Sequence, residues 1–205
     1  MGVAGCSITS GSDSDEQSSP TARATVEEHR NPTAIPFEPD GPSVEILPST
    51  VDGTVISVDG AEITVPQGWE VSEGTNSAGL PNIKAGNSAG EYGLPGFSVT
   101  RVEDFGQSLA DETYTQELLL SGEGDSNTYV SRNKVDWPDS ETAYVIFWTA
   151  EVELTSGELF SQDMLGFWVS DGAGGGWIII AAAEEGGLAS GSEIWDAVFS
   201  FKIAE

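Results

Sequence analysis

The fold is decided by the stretch Trp177-Ile178-Ile179-Ile180-Ala181-Ala182-Ala183, the longest unbroken apolar run in the chain. Its seven residues, between the glycines at 174–176 and the acidic pair at 184–185, are too few to span a membrane. The run also lacks the polar–apolar alternation of a half-exposed strand. It therefore predicts a strand covered on both faces, central in a sheet with helices on at least one side. The three alanines predict close packing of another element there.

Length and charge limit the class of protein. The 205 residues are enough for one domain plus a tail. The net charge of −27 arises from 34 acidic and seven basic side chains. Such a surface repels phosphate backbones and anionic headgroups, so we expect no nucleic-acid partner. The charge is interpreted as a solubility coat on an exported protein; the alternative is a dedicated cation-binding surface.

Residues 1–53 differ in composition from the rest of the chain. They contain six of the ten prolines and only one of the 18 aromatic residues, Phe37. A segment of this kind buries too little apolar surface to offset its chain entropy. The sequence therefore predicts a disordered Ser/Pro/acidic tether over residues 1–53 and a folded domain over residues 54–205.

The tether begins with Val3-Ala4-Gly5-Cys6-Ser7, which resembles a bacterial lipobox. The resemblance implies lipidation at Cys6, so that the protein contacts the membrane only through this anchor, on its outer, extracytoplasmic face. A signal peptide also needs a basic segment and an apolar segment of about 7–15 residues. Only five residues precede Cys6, so the alternative is an incidental thiol on the tail.

The sequence of the domain predicts mainly strands. Residues 54–58 and 61–65 flank Asp59-Gly60, a pair that favours a type I′ hairpin turn. Further strands are predicted over residues 82–85, 97–102, 128–135, 143–152, 159–169 and 201–203.

Two helices are predicted. The first covers residues 107–121, with a buried apolar stripe formed by Ala110, Tyr114 and Leu118 and widened by Leu109 and Leu119. The second opens at the capping-box pattern Ser190-Gly-Ser-Glu193. Its predicted apolar face consists of Ile194, Trp195, Val198 and Phe199.

The motif Ile63-Thr-Val-Pro66-Gln-Gly68-Trp69, the order of elements and the pair Ser200-Phe201 near the end resemble the PsbP-like superfamily. Within it, the chain is similar to actinobacterial cell-envelope lipoproteins of the LpqN type, over residues 54–203. The resemblance implies an α+β fold, an α/β/α sandwich on a mainly antiparallel sheet. It also implies a docking or accessory role without catalysis.

Residues 54–205 contain neither histidine nor cysteine. This excludes Ser-His-Asp and Cys-His nucleophiles and zinc or iron sites that depend on these ligands. We therefore expect no enzyme activity, no cofactor and no metal. Two alternatives stay open, a hydrolase that uses paired carboxylates and a calcium-dependent surface protein.

The candidate ligand-binding residues surround one loop. Asp136, Asp139 and Glu141 form the densest acidic loop beside an aromatic residue, Trp137, which is expected to be exposed because Asp136 and Pro138 flank it. The other tryptophans on apolar stripes, at 148, 177 and 195, are predicted to pack in the core. The ligand is expected to be neutral or cationic (a basic protein segment, a cation, or an uncharged lipid or glycan) or an envelope protein, and the domain to be a monomer.

Overall fold

A computed structural model describes residues 46–90, 93–121, 127–153, 157 and 159–204. The predicted tether up to residue 45, with Cys6, lies outside the described residues. Within them the fold is α+β and mainly antiparallel, as expected, with two short helices. The elements are β1 (Gly53–Ser57), β2 (Ala61–Pro66), β3 (Glu70–Thr75), β4 (Pro81–Gly86), β5 (Gly96–Val102), α1 (Leu109–Leu120), β6 (Asn127–Val135), β7 (Ala143–Glu153), β8 (Leu159–Ser170), β9 (Gly176–Glu184), α2 (Glu193–Val198) and β10 (Lys202–Ile203).

The larger sheet that the structure describes has seven strands in the order β3-β4-β5-β9-β8-β7-β6. Strand β9 is therefore its middle strand, paired antiparallel with β5 and β8. Ile179 and Ala181 are fully buried in the main core on one face, whereas Ile178 and Ile180 pack toward a smaller cluster on the other. The prediction of a central strand is confirmed, but the predicted cover on both faces is incomplete, because Ile178, Ile180 and Ala182 are only half-buried.

The two sheet faces carry different hydrophobic clusters. The main core lies between the large sheet, α2 and the small sheet β1-β2-β10. The other, named here the helix-side cluster, lies beneath α1 and consists of Leu109, Val130, Ile146, Trp148 and Trp168. Trp148, Trp177 and Trp195 are buried as predicted.

The opening hairpin is also confirmed. Strands β1 and β2 pair antiparallel, and the N–H and C=O groups of Val58 and Ala61 bond each other across a two-residue turn. Asp59 and Gly60 have positive φ values of 42° and 85°, as a type I′ turn requires. Lys202 and Ile203 then pair with β2, which matches the predicted closing strand.

Helix α2 begins two residues later than its predicted capping box. Ser192, not Ser190, is the N-cap, because its hydroxyl accepts the Trp195 N–H at 3.3 Å. The predicted apolar face is correct, since Ile194, Trp195, Val198 and Phe199 are all buried. The capping-box pattern therefore predicted the helix correctly but placed its N-cap two residues too early.

Helix α1 exists where predicted, but the predicted buried stripe is wrong. Tyr114, Leu118 and Leu119 are 48, 55 and 61 % exposed. Leu109 is buried as predicted, but the other buried positions are Thr113 and Glu117. The helix therefore turns two polar side chains toward the sheet.

The start of the folded region is earlier than residue 54. Ile46 is buried in the main core, Val51 packs against it, and the Ser49 N–H donates to the Phe199 carbonyl at 2.8 Å. Residues 46–53, assigned to the tether by composition, thus pack on the domain. Strand β3 was not predicted; all six of its side chains are exposed, so no apolar alternation marks it.

Candidate functional site

The predicted site around Trp137 is only partly assembled. Asp136, Asp139 and Glu141 are exposed on the β6–β7 loop, as expected for ligand contacts. Trp137, however, is buried, with its ring centroid 4.9 Å from that of Phe167. The indole fills the main core and cannot serve as a surface contact, so the expectation that it is exposed is wrong.

The acidic loop does not gather three carboxylates at one point. In the part of the chain that the structure describes, no group of three or more His, Cys, Asp or Glu side chains is placed to hold a metal ion. Ser140 fixes the loop, because its hydroxyl donates to the Thr142 carbonyl at 2.9 Å.

The β8–β9 turn beside this loop is organised by Asp171. Its carboxylate accepts a hydrogen bond from the Arg101 guanidinium at 2.5 Å and hydrogen bonds from the backbone N–H groups of Ala173 and Gly175 at 2.7 and 3.1 Å. Burial raises the pKa of Asp171, but the Arg101 hydrogen bond and charge and the two N–H donors outweigh it, so the pKa lies below its usual range. Arg101 also stacks 4.5 Å over Trp177. These contacts hold the β8–β9 turn in place, so Asp171 and Arg101 have a structural role.

A second site lies on the helix-side face of the large sheet. Helix α1 packs on β6, β7 and β8, so the same face of β9, β5, β4 and β3 lies beside the helix. Ile180 and Ala182, although on the middle strand, are only half-buried there. A central strand with half-exposed apolar side chains marks an uncovered part of the sheet.

Two rows of side chains, fixed by strand register, form the floor of this surface, named here the open-face groove. Its volume is about 400 Å³. One row joins Ile180 to Ser98, Lys84 and Ser72. The other joins Ala182 to Gly96, Gly86 and Glu70 across the same strands.

The small residues of the second row make the groove concave. The chain after β4 folds back over this end, and a Cβ added to Gly86 would meet the carbonyl oxygens of Gly93 and Pro95 at 3.5 and 3.6 Å. A Cβ on Gly96 would lie 3.1 Å from the Ala85 carbonyl oxygen. A larger side chain at Gly96 would therefore press on the neighbouring backbone, whereas one at Gly86 would meet the backbone at ordinary van der Waals distance.

The groove is electrically neutral on an acidic domain. Of its described lining residues only Glu70 and Lys84 are charged, and their charges are opposite. By contrast, residues 54–205 hold 25 acidic and five basic side chains, a net charge of −20. The hydroxyl groups of Ser72, Ser88 and Ser98 supply hydrogen bonds beside the apolar floor. Such a surface suits binding rather than acid–base chemistry, because its described lining offers a single carboxylate.

None of the groove residues was predicted from sequence. The available signal was the alternation of small residues in β5 and β9, such as Gly96, Ser98 and Ala182. Small residues in a strand equally allow close packing of another element, which is how the alanines were interpreted.

No protein-family model matches the chain, and no curated protein sequence is similar to it. Among the described residues, no helix combines the length and apolarity needed to cross a bilayer.

Proposed function

We propose that the chain is a non-catalytic binding or accessory module of the bacterial cell envelope that binds its ligand in the open-face groove. The half-buried apolar side chains of Ile180 and Ala182 on the middle strand carry this proposal, because the solvated face of an antiparallel sheet normally carries polar side chains. The absence of histidine and cysteine from residues 54–205 favours binding over nucleophilic catalysis.

The ligand is proposed to be neutral, with an apolar surface and hydrogen-bonding groups at its edge. The apolar floor of Leu94, Ile180 and Ala182 would contact the apolar part, and the serines would contact the polar part. A strongly anionic ligand is disfavoured by the field of the domain. The ligand classes that fit are an uncharged lipid or an uncharged glycan derivative.

We expect the full-length protein to bind an uncharged alkyl glycoside with an affinity that changes little with salt and with a negative heat-capacity change. Calorimetric titration at low and high ionic strength measures both quantities. Ser72→Trp places an indole in the groove from the exposed strand β3 and is expected to weaken binding at least about tenfold. Val71→Trp adds the same group on the opposite face of that strand and is the matched control.

Equal affinities of the Ser72→Trp and Val71→Trp variants would place the ligand elsewhere. Binding of a lysine-rich peptide that weakens steeply with salt, without binding of the glycoside, would replace the neutral-ligand proposal with an electrostatic one.

The proposal extends to the finer fold family and to the location. A PsbP-like, LpqN-type relationship is supported by the motif from Ile63 to Trp69, and lipidation at Cys6 by the stretch Val3–Ser7. Cys6→Ser, expressed in a bacterial host behind a lipoprotein signal segment, is expected to move the protein from the membrane fraction to the medium, because the acyl chains provide the attachment. Immunoblotting of both fractions measures this, and a serine variant that stays in the membrane fraction would exclude the anchor.

A further inference from the structure

Helix α1 has its polar and apolar sides reversed relative to an ordinary surface helix. Thr113 and Glu117 face the sheet and are buried, at 0 and 9 % exposure. Tyr114, Leu118 and Leu119 face solvent, each at least 48 % exposed. An amphipathic helix that only covers a core would present the opposite arrangement.

The rotation of the helix is fixed by Arg132 on β6. Its Nε donates to Glu117 Oε2 at 3.2 Å and its Nη1 to Thr113 Oγ1 at 3.4 Å. The guanidinium also lies 5.7 Å from the Tyr114 ring centroid and 5.0 Å from that of Tyr144. Because a buried guanidinium requires a carboxylate and further acceptors, these contacts direct Thr113 and Glu117 inward and the apolar residues outward.

The exposed apolar side chains lie on the solvent side of the helix. Leu118 follows Tyr114 by four residues, one turn along the same face, and Leu119 lies about 100° further round the helix from Leu118. Asp111 precedes Leu118 by seven residues and therefore lies nearly in line with it. Single exposed apolar residues are common on soluble proteins, whereas three on one helix mark an interaction surface.

We infer that this outer face of α1, formed by Tyr114, Leu118 and Leu119, docks a basic amphipathic segment of a partner protein. The inference is independent of the open-face groove. Charge selects the occupant: α1 carries Asp111 and Glu112 in its first turn and no basic residue in its last. A second copy would bring these carboxylates together, and an anionic bilayer would be repelled likewise. A helical segment with apolar anchors and lysine or arginine beside them complements both features.

The test titrates the full-length protein with an 18-residue leucine–lysine peptide designed as an amphipathic helix. The wild-type protein is expected to bind it with an affinity that falls as salt rises. Leu118→Glu is expected to weaken binding at least about tenfold. Because this substitution adds a negative charge, a loss of affinity for a basic peptide cannot be electrostatic and must come from the lost apolar contact.

Val55→Glu is the matched control, since Val55 is 58 % exposed, close to the 55 % of Leu118, and the charge change is identical. It is expected to leave the affinity unchanged or slightly higher, and thermal unfolding confirms that both variants are folded. Equal affinities of the two variants would overturn the inference. So would failure of the wild-type protein to bind the peptide, or sedimentation data showing a wild-type dimer that Leu118→Glu dissociates.

Discussion

Arg132→Met is expected to lower the free energy of unfolding by about 3 kcal/mol, because it leaves the Glu117 carboxylate buried without its cation. The side chains of Arg132 and Glu117 are only 14 and 11 % exposed, so water replaces the lost contact poorly. Urea denaturation followed by circular dichroism gives the difference.

The double variant Arg132→Met/Glu117→Leu is the control for this prediction. It removes both charges and is expected to recover most of the lost stability, because an apolar pair of similar volume often replaces a buried ion pair without cost. Two results would mean that the pair is solvated and does not fix the rotation of α1. One is a stability loss below about 1 kcal/mol in the Arg132→Met variant. The other is a loss in the double variant equal to the sum of the losses in the Arg132→Met and Glu117→Leu single variants.

Ala181→Leu and Ala182→Leu, at neighbouring positions on β9, are expected to differ sharply. Ala181 is fully buried and lies between the buried Phe97 and Leu165 on adjacent strands. A leucine there overpacks the main core and is expected to cost about 2 kcal/mol. Ala182 faces the open-face groove beside Gly96, where the same side chain finds space; its expected cost is below about 0.5 kcal/mol.

Thermal and urea unfolding of the two variants measure this asymmetry, and each variant is the control for the other. Similar losses at both positions would indicate that the groove is filled in the native protein. In that case Ile180 and Ala182 would be core residues, and the surface proposed for ligand binding would not exist.

The parts of the fold that sequence predicted are those set by local pattern. Strand β9 was found because its run of apolar residues is typical of a strand in the middle of a sheet. The opening hairpin was found because Asp59 and Gly60 tolerate the positive φ values of its turn. In both cases the information lies within a few residues of the element.

The errors arise where distant residues decide orientation. Tyr114 and Leu118 were assigned to the core by helical period, but Arg132 on β6 draws Glu117 inward. Trp137 was assigned to the surface by its polar neighbours, but its ring enters the core between Phe167 and Phe199, which lie 30 and 62 positions away in the chain. A single sequence does not show which of these partners meet.

The open-face groove was missed for a related reason. Its floor is assembled from four strands, and each contributes only two residues to it. The groove exists because α1 lies over β6, β7 and β8 and leaves the same face of the other four strands beside it. The local pattern of one strand does not show where a helix distant in the chain packs.

Strand β3 ends the large sheet on one side and has every side chain exposed. An edge strand of this kind has backbone N–H and C=O groups without a partner strand on its outer side, and it is a template on which further copies could add and grow into aggregates. Glu70 and Glu73 oppose such growth, because they place one carboxylate on each face of the edge, so that a second copy pairing there would meet like charges on both faces. The edge strand that borders the open-face groove is thereby less able to pair with a second copy.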